Sequence, residues 1–393
     1  MEKFLLLIEQ FPWTAAFGLL PLSLLFSFAL SDSIAAEPAR AVRTCLVAYG
    51  YFYDPSTLEK MAGNFDLIVW GDPPSHFRQC ARIVNEKNPK TIQLFYRDLQ
   101  AMHRYYQDWE KVAPNRQWFL NDQSGKGLLI HKTWKWCAMD LGSPGWGAHL
   151  VQSVKNELEA NPDWDGVFVD DVWTYFRDEF ARESDNRPAL PASGYRKAFF
   201  EKTRALLARL KKGVGKHLVI VNEDFEKGDF LPESDGAMLE TFVHTRLTPT
   251  FAVDPKDWKA SLEALVKSGR EKKLFLANSM IGEGAGEAEI EKTHRFCYAT
   301  YLLGMHPRSF FSFHLDFNQV LIFDEWRLPI GKPKGPYYIK NKVYFRQFAK
   351  GLVVVNTERK KTRVTLSIPY KVWGKETTRE LTLDPQSCVV LVK

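Results

Sequence analysis

The sequence predicts an α/β fold, namely a (β/α)8 TIM barrel followed by a small C-terminal antiparallel β-sandwich domain. Over residues 41–335, eight short apolar runs alternate with segments of helical periodicity. Most of the runs are continuous, which favours strands that are buried on both faces, as in a parallel sheet. A doubly wound sheet would carry a glycine-rich loop after its first strand, where this chain has Tyr49-Gly50-Tyr51-Phe52. Repeated strand–helix units therefore favour the barrel.

The boundaries of the elements follow from the same pattern. The predicted strands are residues 44–49, 67–70, 91–96, 167–170, 218–222, 236–240, 273–277 and 309–313. Helical periodicity is clearest at residues 146–158, 195–210, 258–268 and 290–303. The first of these helices follows Ser143-Pro144, a capping residue and a proline of the kind that begins helices.

The third strand–helix unit is longer than the others. Residues 97–140 separate the third strand from the next helix and contain a turn signal, Asn-Asp-Gln-Ser-Gly, at residues 121–125. Phe119 and Ile130 flank this turn, which predicts a hairpin inserted in the loop. Long loops at this position of a barrel usually shape the substrate site.

Residues 1–36 differ in composition from the rest of the chain. No charged residue lies between Glu9 and Asp32, and Ile34-Ala35-Ala36 offers a cleavage site. This segment predicts a secretory signal peptide or, alternatively, an uncleaved membrane anchor, since the apolar stretch is long enough to span a bilayer. We therefore expect a secreted, periplasmic or extracellular protein, attached to a membrane in the second case.

Helical periodicity disappears after residue 335. The short runs 343–345, 352–356, 363–368, 378–383 and 388–392 mostly alternate apolar and polar side chains, with turns between them. Residues 336–393 therefore predict the antiparallel β-sandwich domain, which we expect to brace the barrel more than to bind a ligand.

Composition argues against several function classes. The 393-residue chain has a formal net charge of +6 that is spread over 53 basic and 47 acidic residues, so no basic cluster indicates nucleic acid. Its five cysteines form no CxxC pair, which argues against a zinc cluster and against a disulfide-stapled scaffold. We predict neither an organic cofactor nor a metal.

Polar and aromatic side chains follow the predicted strands, at the end where a barrel holds its catalytic residues. They are Tyr49, Trp70, Tyr96, Asp170 with Asp171, Asn222 with Glu223, Glu240, Asn278 and His314. No serine-nucleophile elbow, phosphate-binding loop or HExxH motif occurs. Carboxyl groups among aromatic rings suit the hydrolysis of glycosidic bonds, in which one carboxyl protonates the leaving oxygen and the other attacks or activates water.

Asp170 is the strongest catalytic candidate. Side chains alternate along a strand, so we expect one carboxyl of Asp170-Asp171 to face the mouth, and we assign Asp170 as the nucleophile or base. Asp171 would then cap a backbone group or hold a partner, although both carboxyls could instead cap the following helix. Glu240 is the preferred general acid, and Glu223 competes for that role.

Nine residues are candidates for substrate binding. Aromatic rings stack on sugars and polar groups bind hydroxyls, although each residue is also an ordinary core or loop residue. The candidates are Tyr49, Trp70, Tyr96, Trp136, Asp140, Trp173, Asn222, Asn278 and His314. We expect the substrate to be a polysaccharide or an oligosaccharide.

A family resemblance is carried by two segments that contain the candidate carboxyls. They are Asp-Gly-Val-Phe-Val-Asp-Asp at residues 165–171 and Met-Leu-Glu-Thr-Phe at residues 238–242. Together with residues 136–141 and 344–356, the chain resembles TIM-barrel glycoside hydrolases, in particular the hypothetical glycosyl hydrolase family fifteen. It is more distantly similar to the alpha-galactosidase and alpha-amylase superfamily and to endo-polygalactosaminidases. The resemblance implies that Asp170 is the nucleophile and that a β-sandwich follows the barrel. Phe168 departs from the Arg or Lys of amylases and alpha-galactosidases, which weakens any transfer of their substrates or mechanism. The doubled Asp170-Asp171 leaves the assignment of the nucleophile open by one residue.

Two other hypotheses stay open on the sequence. A degenerate barrel could bind carbohydrate as an envelope scaffold without catalysis. Asp170, Asp171 and His314 could hold a metal for polysaccharide deacetylation, although no close spacing of histidines supports it. The distance between the Asp170 and Glu240 carboxyl groups distinguishes hydrolysis from binding, because hydrolysis needs about 5–9.5 Å.

Overall fold

Eight parallel strands form the barrel that the sequence predicts. In chain order they are Cys45–Ala48, Leu67–Trp70, Ile92–Asp98, Gly166–Val172, Leu218–Glu223, Gly236–Leu239, Leu274–Met280 and Ser309–His314. They are numbered one to eight here, and each pairs with the next in that order. A parallel bridge between Thr44 and Phe311 joins the first strand to the eighth. The barrel is therefore nearly closed, and the predicted fold class is confirmed.

The computed structural model describes residues 42–50, 52–125, 127–223, 229–372 and 377–393, without the side chain of Glu223. The predicted signal peptide or anchor, residues 1–36, lies outside these ranges. Within them, no helix is both long enough and apolar enough to cross a membrane.

Alternate side chains of the strands fill the barrel interior. This inner cluster contains Cys45, Val47, Leu67, Val69, Leu94, Phe168, Ile220, Met238, Leu274, Leu276 and Phe310. The strand residues between them, such as Ile68 and Val167, belong to a larger cluster that also contains helix side chains. Because the alternation has a period of two, its inward phase fixes which strand-end residues point into the mouth.

Helices surround the barrel. They are Pro55–Asn64, Arg78–Lys87, Trp109–Val112, Pro144–Ala160, Ser193–Val214, Pro255–Arg270 and Glu287–Gly304, and the four predicted helices are among them. Three begin with a proline directly after a residue that accepts a backbone N–H bond from the first turn, namely Asp54, Ser143 or Asp254. Proline at this position lacks an N–H that would have no helical partner, so the local sequence determines where these helices begin.

The long loop after strand three carries a small sheet of its own. Its strands are Ala101–Met102, Leu129–His131, Cys137–Ala138 and Phe180–Arg182, and the last of them comes from the loop after strand four. The predicted hairpin is confirmed, since Asn121 and Leu128 form an antiparallel bridge around the turn. The two loops are thereby joined at the C-terminal end of the barrel.

The C-terminal domain is one curled antiparallel sheet of six strands. They are Tyr338–Lys340, Val343–Gln347, Gly351–Asn356, Thr362–Val372, Thr377–Leu383 and Ser387–Val392. The sheet encloses an apolar core of its own that includes Val354 and Leu391. Arg346 donates hydrogen bonds to the carbonyl oxygens of Leu302 and Met305, at the C-terminal end of the last barrel helix. These contacts support the bracing role expected for the domain.

Candidate active site

The carboxyl group of Asp170 is held in the mouth of the barrel by three hydrogen bonds. Its Oδ1 atom accepts from the side-chain amide of Asn222 at 2.9 Å and from the backbone N–H of Asp171 at 2.8 Å. Its Oδ2 atom accepts from the hydroxyl of Tyr96 at 2.7 Å. The donors come from strands three, four and five, so three elements of the barrel fix the orientation of one carboxyl.

Glu240 directly follows strand six, and its carboxyl lies beside that of Asp170. The same Nδ2 atom of Asn222 donates to Glu240 Oε2, also at 2.9 Å. The two acceptor oxygens are therefore separated by at most twice this distance. Because the two N–H bonds of an amide diverge by about 120°, we expect the oxygens to lie about 5 Å apart. This separation falls among those of carboxyl pairs that cleave glycosidic bonds.

The pKa of Asp170 is raised to about 6. Burial is the largest cause, because it disfavours the charged form, and the negative charge of Glu240 adds to it. The hydrogen bonds from Tyr96 and Asn222 act in the opposite direction, since they stabilise the carboxylate. Asp170 is therefore ionised at neutral pH and becomes protonated as the solution is acidified.

Asp171 lies in the same acidic cluster. Its backbone φ is 54°, an uncommon value for a residue other than glycine, and the pairing of strand four with strand five shifts register between Val169 and Val172. Regular side-chain alternation is interrupted here, so it does not by itself determine which way the carboxyl group of Asp171 points. Burial, followed by the charge of Asp98, raises the pKa of Asp171 well above its ordinary value.

Asp98 is a site residue that the sequence reasoning missed. It ends strand three in register with Asp170 and is fully buried. Its Oδ1 atom accepts two backbone N–H bonds from the following turn. Its Oδ2 atom has no hydrogen-bond partner among the described residues and lies 3.8 Å from Nε2 of His103. The predicted strand ended at Tyr96, and following its alternation for two more residues would have identified Asp98.

A second missed carboxyl, that of Asp72, follows strand two. Burial raises its pKa to about 6, while the nearby His103 and a hydrogen bond from Tyr105 oppose the shift. The ring of Tyr105 packs on that of His103 with centroids 4.9 Å apart and is 61% exposed. An aromatic face is therefore available at the rim of the acidic mouth.

Tyr49 and Tyr96 form the wall of the mouth beside these acids. Their rings meet edge to face with centroids 5.7 Å apart. Burial raises the pKa of each hydroxyl well above its ordinary value, and the charge of Asp170 raises both further. Both hydroxyls are therefore protonated at neutral pH and can donate hydrogen bonds. The structure brings these two predicted site residues together with Asp170, Asn222 and Glu240.

The three tryptophans predicted to stack on substrate are buried in the structure. Trp70, Trp136 and Trp173 are 0%, 3% and 7% exposed. The indole N–H of Trp70 donates to Gln93 Oε1 at 3.0 Å, on the outer side of strand two, and this placement contradicts a stacking role. Trp136 packs on Trp173, whose ring is covered by the guanidinium of Arg177 at 4.3 Å.

Asn278 lies within strand seven and His314 ends strand eight, and both residues are buried. The amide of Asn278 donates to the backbone carbonyl of Glu240 at 3.3 Å and accepts from the hydroxyl of Ser312 at 2.7 Å. Both of its polar groups are thus bound by protein. Burial lowers the pKa of His314 to about 4, so its imidazole is neutral at neutral pH.

The remaining candidates lie outside this cluster of carboxyls or outside the described atoms. Asp140 accepts a backbone N–H bond from Gly142 and lies 3.9 Å from the ammonium of Lys202, in the loop before a helix. Glu223 ends strand five, and its side chain is not among the described atoms. Across the described ranges, no group of three or more His, Cys, Asp or Glu side chains is arranged to hold a metal ion.

The model of the family described as "Hypothetical glycosyl hydrolase family 15" matches residues 85–352. The fold is similar to that of the noncanonic maltogenic alpha-amylase AmyB from Thermotoga neapolitana, with TM-score 0.53 and 10% identity over 89% of this chain and 99% of that one. It is also similar to an alpha-amylase from Geobacillus thermoleovorans, with TM-score 0.51 and 10% identity over 89% and 97% of the two chains.

A further structure matches at 15% identity, the glycoside hydrolase domain of PelA from Pseudomonas aeruginosa, with TM-score 0.48 over 70% of this chain and 96% of that one. No curated protein sequence matches the chain. At such low identities, the two amylase structures show a shared fold.

Proposed function

Because the chain belongs to the hypothetical glycosyl hydrolase family 15, we propose that it cleaves O-glycosidic bonds of a polysaccharide or oligosaccharide. Asp170 is the nucleophile and Glu240 the general acid. The observation that carries this proposal is the single amide nitrogen of Asn222, which lies 2.9 Å from a carboxyl oxygen of each residue.

The short separation of the two carboxyls favours retention of configuration at the anomeric carbon. Retaining glycosidases have carboxyl groups about 5–5.5 Å apart, whereas inverting enzymes need about 6.5–9.5 Å to fit a water molecule between carboxylate and sugar. The shared nitrogen limits the distance between Asp170 Oδ1 and Glu240 Oε2 to at most twice 2.9 Å, which favours the shorter separation of the two carboxyl groups. We therefore propose a two-step reaction through a covalent glycosyl-enzyme.

In the first step, a carboxylate oxygen of Asp170 attacks the anomeric carbon while Glu240 donates its proton to the leaving glycosidic oxygen. The bond from carbon to the leaving oxygen breaks as the ester to Asp170 forms. In the second step, Glu240 takes a proton from water, whose oxygen attacks the anomeric carbon and releases Asp170. The reaction consumes one water molecule and returns both carboxyls to their starting protonation states.

The single proton held by the two carboxyls sets the pH profile. The pKa of about 6 for Asp170 includes repulsion by an ionised Glu240, so it marks the pH at which the pair loses its last proton. The reactive state needs that proton on Glu240 and a carboxylate at Asp170, so cleavage should fall as the pH rises through this value, about tenfold for each further pH unit. A profile that stays level from about pH 6 to about pH 9 would contradict the assignment of this pair.

The test of the function is cleavage of a polysaccharide panel by purified protein and its variants. Asp170→Asn and Glu240→Gln should each reduce cleavage by about 10²- to 10⁴-fold, since each removes a carboxyl that reacts. Asp165→Asn is the matched control, because Asp165 begins the same segment and its carboxyl accepts a backbone N–H from Gln93 at 2.8 Å. Proton NMR of the first product anomer distinguishes retention from inversion.

Three other outcomes would change the proposed roles of Asp170 and Glu240 or the proposed function. Loss of activity in Asp171→Asn together with full activity in Asp170→Asn would transfer the nucleophile to the neighbouring residue. Undiminished cleavage by both Asp170→Asn and Glu240→Gln would refute the proposed pair. Tight glycan binding without cleavage by the wild-type protein would favour a carbohydrate-binding scaffold.

We also propose that the protein acts outside the cytoplasm, since residues 10–31 contain no charged side chain and are rich in leucine and phenylalanine. N-terminal sequencing of the protein made by its host distinguishes a cleaved signal peptide from a retained anchor. Full-length protein in the cytosolic fraction would contradict export.

A further inference from the structure

Asn222 occupies a special position between the two carboxyls. It lies near the C-terminal end of strand five, which pairs with strand four on one side and with strand six on the other. Its Nδ2 atom is 2.9 Å from Asp170 Oδ1 and 2.9 Å from Glu240 Oε2, so one amide group uses both of its hydrogens on the catalytic pair. A residue occupied in this way has no N–H left to bind a sugar.

We propose that Asn222 is a positioning residue that fixes the separation of the two carboxyl groups and determines which oxygen of each one reacts. This replaces the substrate contact expected for Asn222 from the sequence, and it rests on the proposed roles of Asp170 and Glu240.

The chemistry of the partners determines which way the amide points. A carboxylate oxygen accepts hydrogen bonds and has no proton to donate. If the amide oxygen of Asn222 faced Asp170 and Glu240, both carboxyls would have to be protonated, and no nucleophile would remain. The nitrogen therefore faces the pair in the reactive state.

The hydrogen bonds leave one oxygen of Asp170 less occupied than the other. Oδ1 accepts from Asn222 and from the backbone of Asp171, so both of its in-plane lone pairs are used. Oδ2 accepts from the hydroxyl of Tyr96 and retains one lone pair. Oδ2 is therefore the oxygen that attacks the anomeric carbon.

The same argument locates the proton of the general acid. Glu240 Oε2 accepts the second N–H of Asn222, so its lone pair on that side is taken. A neutral Glu240 then carries its proton on Oε1, the oxygen free to face the leaving group. One neutral side chain thus orders the reactive atoms of both catalytic residues.

An amide suits this position better than a cation would. A lysine or arginine between the carboxyls would stabilise the ionised form of both, and it would oppose the proton that the acid must carry. The uncharged amide donates to a carboxylate and to a carboxylic acid alike. The pair can therefore hold one proton between two carboxyls while keeping its geometry.

The experiment compares wild-type protein with Asn222→Leu, which keeps the approximate volume and removes both donors. The Asp170 carboxyl is titrated in the free protein by carbon-13 NMR of aspartate-labelled material, with Asp170→Asn assigning the signal. We expect the pKa of Asp170 to rise by about one unit or more, because the carboxylate loses a charge-assisted hydrogen bond. The kcat should fall by about 10- to 100-fold with a smaller change in KM.

Asn278→Leu is the matched control. Asn278 is an amide within strand seven that donates to the backbone carbonyl of Glu240 and not to its carboxyl. This variant should lower the melting temperature and leave the titration of Asp170 in place. Equal shifts in the two variants would mean that general loosening of the mouth is responsible, and the proposal would be wrong.

Failure of this inference can be distinguished from failure of the proposed function. If Asn222→Leu leaves the pKa of Asp170 unchanged and raises KM with kcat preserved, Asn222 is a substrate ligand and the positioning role is refuted. Loss of cleavage in Asp170→Asn would still uphold the function. The titration needs no substrate, so it decides the role of Asn222 even if no glycan in the panel is cleaved.

Discussion

Charged side chains are buried in two regions, the mouth of the barrel and the junction between the last helix and the C-terminal sheet. The two regions differ in how these charges are hydrogen-bonded. At the junction, Arg346 is 8% exposed and donates to the carbonyl oxygens of Leu302, Met305 and Gly335, each at 2.9 Å. In the mouth, Asp72 and Asp98 each bury an oxygen that has no hydrogen-bond partner among the described residues.

The difference separates a structural charge from a functional one. Burial lowers the pKa of Arg346 to about 10, so the guanidinium remains charged at neutral pH and its acceptors are all backbone oxygens. Burial raises the pKa of Asp170 and Asp171, and the like charges of neighbouring carboxyl groups in the mouth raise both further. Crowded like charges destabilise a fold, and such arrangements cluster at functional sites.

The junction should show the largest effect on stability. Arg346→Met keeps most of the side-chain volume but leaves the buried carbonyl oxygens of Leu302 and Met305, and the carbonyl oxygen of the exposed Gly335, without their donor. We expect the free energy of unfolding to fall by about 3 kcal/mol, measured by urea denaturation at pH 7. Glycan cleavage per folded molecule should be unchanged, because the junction holds none of the proposed catalytic groups.

Arg363→Met is the control for this variant, since Arg363 is exposed on the same sheet. Its effect should stay within about 0.5 kcal/mol. Equal losses in the two variants would show that the hydrogen bonds of Arg346 add nothing measurable, and the contrast between the two regions would then be lost.

The same contrast explains how far the sequence could predict the site. The inner cluster includes Val47, Leu94, Phe168, Ile220 and Met238, one from each of five strands. Moving two residues along each strand from these positions leads to Tyr49, Tyr96, Asp170, Asn222 and Glu240. These residues were predictable because a parallel strand shows its inward phase as a period of two.

The same rule shows why Trp70 was misassigned. Trp70 has the phase of Ile68, which belongs to the outer cluster, and not of Val69 inside the barrel. A position at the end of a strand does not by itself place a side chain in the mouth, because the inward or outward alternation along the strand decides which way the side chain points. Asp98 has the inward phase but lies two residues beyond the predicted strand end, and Asp171 depends on a left-handed backbone that no residue pattern announces.

In the mouth, removal of a carboxyl should stabilise the protein. The folded-state pKa of Asp171 lies well above the ordinary value of 3.8. Between the unfolded-state pKa and the higher folded-state pKa of Asp171, the folded protein therefore binds more protons than the unfolded chain. In this pH range the contribution of Asp171 makes the free energy of unfolding fall as the pH rises. Asp171→Asn, which removes the titration, should therefore raise the free energy of unfolding at pH 7, measured by urea denaturation.

The pH dependence makes this prediction specific. The gain in Asp171→Asn should shrink as the pH falls and disappear below 3.8, because Asp171 is then neutral in both the folded and the unfolded wild-type protein. Asp140→Asn is the control, since Asp140 lies near Lys202 in a loop and its removal should change stability by less than about 1 kcal/mol. A destabilised Asp171→Asn would mean that the acid cluster is held by attractive contacts, and the comparison with Arg346 would fail.

The smallest effect is expected at Trp70, where the question is whether a buried indole at a strand end is structural. Trp70→Phe removes the N–H that donates to Gln93 Oε1 at 3.0 Å and should cost about 1 kcal/mol of stability, with cleavage unchanged. In Gln93→Leu, the same bond is lost from the other side, and the double variant should show a coupling of about 1 kcal/mol. A loss of cleavage in Trp70→Phe without a loss of stability would mean that Trp70 contacts the substrate. The outer side of strand two would then have to open, since the ring is fully buried and hydrogen-bonded.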